Sequence, residues 1–139
     1  YWRWTDLFYW VSVHFVRHKI GIEHWVSTQR TDRTDVNRNE KLQNAPVTHA
    51  CEADAQAMIN ISRKRLCMEN LVETNIETSS DLEVKNEVAK VEPELASCMV
   101  RECVYRGFCP EMYSCGYVKT PQFQEELKEY RKGFENENN

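Results

Sequence analysis

The chain has 139 residues and a formal charge of −4, with 41% hydrophobic and 29% charged residues, a size that suits one domain burying roughly two-thirds of its unfolded surface. The charge is uneven: residues 1–50 carry seven Lys/Arg against five Asp/Glu, and residues 51–139 carry eleven against seventeen. Neither half is basic enough to follow a phosphate backbone, which excludes nucleic acid as a partner, and four glycines leave no phosphate-cradling loop or dinucleotide fingerprint.

Eight of the fifteen aromatics fall in the first 25 residues. Thr5 or Asp6 can cap a helix, and Leu7, Phe8, Val11, Phe15, Ile22 and Trp25 or Val26 roughly follow helical spacing, so a helix is predicted over residues 6–26. Its uncharged run, residues 7–16, is ten long, whereas a membrane span needs about 20. The helix is therefore expected to anchor rather than to cross. Trp2, Trp4, Phe8, Trp10, Phe15 and Trp25 would bind a groove on a partner or a membrane surface through residues 1–26, unless the aromatics cap the protein's own core. Tyr1 in place of Met, with no basic-then-apolar leader, fits a mature protein delivered to another compartment.

Residues 27–48 have neither period, with only Val36, Leu42, Ala45 and Val47 apolar, and read as a long extended connector. Thr48, after Pro46, would cap a helix over 49–74, with Met58, Ile61, Met68 and Leu71 or Val72 on one stripe. Ser80 and Glu83 have capping-box spacing and would open a shorter helix with Val84, Val88 and Val91. Pro93 suits the first turn of another, running to Arg106 before Gly107. The clearest helix is the last: Thr120 caps, Pro121 comes first, and Phe123, Leu127, Tyr130 and Phe134 form a stripe before a polar tail, residues 135–139. No alternating β-branched run argues for a sheet.

Six cysteines, Cys51, Cys67, Cys98, Cys103, Cys109 and Cys115, are an even set that favours disulfides and an oxidising compartment over free buried thiols. Eleven residues turn a helix by about 1100°, so Cys98 and Cys109 would point the same way, whereas Cys51 and Cys67 would differ by about 160°. The gaps in Cys98, Cys103, Cys109 and Cys115 are wide for a zinc site, and His14 and His18, one turn apart, lack the further ligands a metal or haem would need. Asn60-Ile61-Ser62 is a glycosylation sequon inside a predicted helix. No nucleophile has a visible base, so no catalytic residue and no cofactor are expected.

The stretch C-MVRECVYRGF-C-P, residues 98–110, resembles the second half of the cytochrome c oxidase subunit VIb family, coiled-coil-helix–coiled-coil-helix proteins with a cysteine pair ten residues apart followed by proline. EYRKGF, residues 129–134, resembles that family's charged segment ending in an aromatic. The first pair departs from the pattern, with fifteen residues between Cys51 and Cys67, and Cys103 and Cys115 are extra. EADAQAMINISRKRLC, residues 52–67, is similar to the cysteine-bearing PDSW subunit of respiratory complex I.

Together these resemblances imply a mainly α fold, a disulfide-stapled antiparallel helix pair over residues 49–134 preceded by the aromatic helix and the connector. Cys67 would bond Cys98 and Cys51 would bond Cys109, as the family implies, or Cys115. The implied role is that of a noncatalytic accessory subunit of complex IV or complex I, packed against other subunits of a large membrane complex on the intermembrane-space side of the mitochondrial inner membrane. The alternative is a secreted disulfide-rich helical binding protein.

Overall fold

Residues 2–5, W-R-W-T, alternate apolar and polar side chains with the period of a half-buried strand. In the computed structural model, which describes residues 1–27, 32–34, 37–67 and 74–135, they begin β1, Trp2–Phe8. The chain divides into two units, residues 1–57 and 58–139.

In the first unit β1 pairs antiparallel with β3, Pro46–Ala53, and so does β2, Ile22–Val26, giving the order β1-β3-β2. Trp2 lies opposite Cys51 and Trp4 opposite His49, but Leu7 lies opposite Val47, so β1 carries one extra residue between Trp4 and Leu7. That bulge lets Leu7, rather than Asp6, follow Trp4 onto the covered face, and Leu7 is buried while Asp6 is exposed. Helix α1, Tyr9–Phe15, starts directly after β1 and buries Val11, Ser12 and Phe15. Two of its first-turn N–H groups are satisfied from outside, Tyr9 N donating to Ala45 O (3.0 Å) and Trp10 N to Gln43 O (3.3 Å).

The predicted helix over 6–26 is thus a strand, a two-turn helix and a second strand. Leu7, Val11 and Phe15 do form an inward stripe, but only because the bulge hands the inward position to Leu7. Gly21 breaks the rest with a left-handed φ of +69°; a Cβ there would collide with the Asp54 carboxylate. Asp54 N donates to Gly21 O (2.8 Å), and Asp54 Oδ1 accepts from Ala57 N (2.7 Å), capping α2, Ala55–Arg65. The helix expected from residue 49 therefore begins after β3, with Asp54 and not Thr48 as its cap. Val47 and Thr48 are β-branched and suit the pleated surface better.

In the second unit α3, Thr74–Ala89, begins six residues before the predicted capping box, which leaves Ser80 mid-helix. The helix predicted from Pro93 to Arg106 is broken at Met99–Arg101 into α4, Pro93–Cys98, and α5, Glu102–Arg106, which ends at Gly107 with φ +81°. Last comes α6, Pro121–Glu135. It is capped as expected, Phe123 N donating to Thr120 Oγ1 (3.3 Å). Val100, Cys103, Val104 and Phe123 form this unit's core, with Tyr117, Val118, Leu127 and Tyr130 packed against it. Met68, Leu71 and Val72 of the second predicted helix, Val36 of the connector and residues 136–139 of the tail lie outside the described residues.

The disulfide-stapled antiparallel helix pair is overturned on two counts. A three-stranded sheet accompanies the helices, and all six cysteines are free thiols. The staple needed two long helices each carrying two cysteines. Instead Cys51 stands in the middle of β3, and the break at 99–101 separates Cys98 from Cys103 and from the turn that carries Cys109.

Ionic pairing replaces the staple between α2 and α5. Glu102 is only 3% exposed; its carboxylate accepts from Arg63 Nε (2.7 Å) and Nη2 (3.0 Å) and from Arg106 Nε (2.6 Å), while the Arg63 guanidinium lies 3.8 Å over the Tyr105 ring. The Arg63 hydrogen bonds above all hold the Glu102 carboxyl down at about 2. A carboxylate depressed in the fold stabilises it fully above its ordinary titration range and loses that contribution as pH falls toward 2. Glu102→Ala leaves Arg63 unpaired and should cost about 3–5 kcal/mol. In acid titration the wild type should lose stability between about pH 4.5 and 2 and Glu102→Gln should lose less there, both followed by circular dichroism. In the first unit Gly21→Ala should cost about 1–3 kcal/mol in urea denaturation, because Ala resists the left-handed conformation.

Candidate metal centre

Side chains two apart on a strand share a face, so His49 and Cys51 project to the same side of β3. Register adds the rest: His24 on β2 lies directly across from Cys51, while Trp4 and Trp2 on β1 lie across from His49 and Cys51. The face of the sheet that carries Trp4 also meets α1, whose Phe15 ring lies 4.9 Å from the Trp4 ring and 6.3 Å from His49; Trp4 itself is 5.7 Å from His49. Phe15, His49 and Cys51 are all 0% exposed. His24, nearer the sheet edge, is half-buried.

Three donor atoms converge there. His24 Nδ1 is 3.0 Å from His49 Nε2 and 3.2 Å from Cys51 Sγ, and Cys51 Sγ is 3.2 Å from His49 Nε2. Among the described residues this is the one group of three or more His, Cys, Asp or Glu side chains whose ligand atoms meet in this way. The His24 tautomer follows from its second nitrogen. His24 Nε2 lies 2.7 Å from the carbonyl oxygen of His18, an acceptor only, so Nε2 carries the proton and Nδ1 presents a bare lone pair to the cluster.

That assignment leaves the triangle without a complete hydrogen-bonding solution. If His49 Nε2–H donates to His24 Nδ1, the Cys51 S–H must share the same acceptor; if Cys51 donates instead to His49, two imidazole lone pairs face each other at 3.0 Å. His49 Nδ1, also buried, has no hydrogen-bond partner among the described residues. Burial, and then the neighbouring His24, push the His49 imidazole down to about 4, and burial pushes the Cys51 thiol up to about 12. Burial therefore keeps the His49 ring neutral and the Cys51 thiol protonated.

A cation at the centre resolves the conflict, because all three atoms can then donate lone pairs to it and the thiol gives up its proton. The fit is good. The three separations place each donor about 1.8 Å from their common centre, and metal–nitrogen and metal–sulfur bonds of about 2.0–2.3 Å need an outward movement of a few tenths of an ångström or an ion about 1 Å off the plane. The donor set, two imidazoles and one thiolate, is one that zinc and copper accept and that magnesium and calcium do not.

The other expected residues do not gather into such a group. His14 stacks edge-on with Trp10 (5.8 Å), and His18 meets His24 through its backbone carbonyl. Cys103 is buried in the core of the second unit, its thiol pushed up to about 11, mainly by burial; Cys98, Cys109 and Cys67 are half-buried and Cys115 is exposed. Of the six aromatics expected at an interface, Trp4 packs with both Trp2 and Phe15, Phe8 and Trp10 are half-buried, and Trp25 is 48% exposed. Among the described residues no helix is long and apolar enough to cross a membrane.

The centre was missed in the sequence because residues 49–74 read as a helix, where positions two apart diverge by about 200°. The signal was H-A-C at residues 49–51, which only a strand turns into a pair of ligands. The chain matches no family model, no curated protein and no solved structure. With every thiol free, the native chain should take up six alkyl groups without a reductant once unfolded. In the folded state iodoacetamide should reach Cys115 first and Cys51 and Cys103 last, read by peptide mass spectrometry, because burial suppresses the reactive thiolate.

Proposed function

We propose that this chain is a transition-metal-binding protein whose N-terminal sheet holds one ion between His24 Nδ1, His49 Nε2 and Cys51 Sγ. The observation that carries the reading is the mutual approach of three ligand atoms, all within 3.2 Å of one another, on a buried sheet face. Support comes from the His18 carbonyl, which fixes the His24 ring in the ligating tautomer, a role that outer hydrogen bonds commonly serve at metal sites. The two ligands of β3 and the one of β2 sit on paired strands, so little ordering remains to be done when an ion arrives.

Binding at such a site adds to folding stability by mass action, about 4 kcal/mol at a thousandfold excess of ion over the dissociation constant. Reduced full-length protein, loaded anaerobically with Zn(II) or with Cu(I) and desalted, should retain one more equivalent of at least one of these ions than Cys51→Ser or His49→Ala. Its melting temperature should rise on loading, and the rise should vanish in the half-buried His24→Gln variant, which disturbs the core least. Equal metal content and equal melting shifts in wild type and all three variants would sink the proposal.

A further inference from the structure

We infer that the ion this centre is built for is monovalent copper, held three-coordinate by His24, His49 and Cys51. The inference rests on the metal-binding reading and goes on to say which ion the surroundings accept.

Charge decides first. The ligand set supplies one negative charge, the Cys51 thiolate, and two neutral imidazoles. Among the described residues no Asp or Glu oxygen joins the converging group. Cu(I) makes the centre neutral overall, whereas Zn(II) or another divalent ion leaves a net positive charge on a face where Phe15, His49 and Cys51 have no exposure at all. An uncompensated charge away from water is strongly disfavoured, and buried charges are accordingly paired.

Coordination number decides in the same direction. Zinc sites are almost always tetrahedral, with a fourth protein ligand or a water. Among the described residues no fourth His, Cys, Asp or Glu donor converges here, and what packs against His49 is the hydrocarbon of Trp4 and Phe15. A soft thiolate with imidazole donors suits Cu(I), and a d¹⁰ monovalent ion is content with three ligands. The near-equilateral triangle of 3.0, 3.2 and 3.2 Å accepts it in plane once each donor retreats by a few tenths of an ångström.

Imidazole nitrogen resonances distinguish the possibilities, because Cu(I) and Zn(II) are both diamagnetic. Reduced, full-length, ¹⁵N-labelled protein is given one equivalent of Cu(I) as its acetonitrile complex, or one equivalent of zinc sulfate, under argon. Cu(I) should shift His24 Nδ1 and His49 Nε2 together, the shift should survive a tenfold excess of Zn(II), and X-ray absorption should read two nitrogens and one sulfur. In His24→Gln the His49 shift should be lost or weakened at least tenfold in copper affinity. If Zn(II) shifts both rings and Cu(I) does not displace it, or if Cu(I) settles on the other cysteines and leaves the rings unmoved while zinc moves them, the copper assignment is overturned and the metal-binding reading stands. If neither ion moves either ring, both fall.

Discussion

The first unit depends on the pairing of β3 with strands on both of its edges. Because side chains alternate along a strand, register settles which residues share a face, and a slip of one residue would send His49 and Cys51 to the opposite side. Three independent features hold it. The bulge in β1 keeps Leu7 inward against Val47, Gly21 and Asp54 tie the start of β2 to the end of β3, and Phe15 of α1 fills the space over His49. Each acts on the same strand from a different direction, and the three ligand atoms meet only while all are in place.

The second unit is held by different means. Between α2 and α5 a buried carboxylate shared by two guanidiniums takes the place that covalent bonds were expected to fill. Such a pair is sensitive to loss of one partner, since the survivor is left charged and desolvated. Arg63 also lies over the Tyr105 ring and Arg101 over Tyr117 (4.4 Å). Arginine, planar and weakly hydrated, can pair bidentately with a carboxylate and stack on a ring at the same time, which the compact ammonium of lysine does not.

What could be read from the residues was greatest where local signals agree. Residues 120–134 carry a cap, a proline at the first position and a long apolar stripe, and all three act in the helix observed. Residues 6–26 failed because apolar residues from two strands and a helix fell by chance on a helical spacing, while the bulge hid the strand period. Residues 49–53 failed because a strand of eight residues, flanked by a connector, offers little period to find, and its polar members His49 and Cys51 look like solvent-facing residues until the sheet buries them. The cysteine parity pointed to disulfides, yet parity says nothing about distance. The likeness in residues 98–110 spans the broken stretch between α4 and α5, so a spacing that implied one continuous helix is carried here by two.

The bulge in β1 has a consequence for how this chain tolerates change. In most strands a single inserted residue inverts everything downstream of it, whereas here one such insertion is already built in and absorbed between Trp4 and Leu7. Deleting either Thr5 or Asp6 would remove the bulge and restore regular alternation, leaving Leu7 two residues after Trp4, still opposite Val47 and still facing inward. Lineages of this protein would then be expected to accept either one or two residues between Trp4 and Leu7, the inward pair of Leu7 and Val47 being the inherited trait and the length of the link before it the variable one.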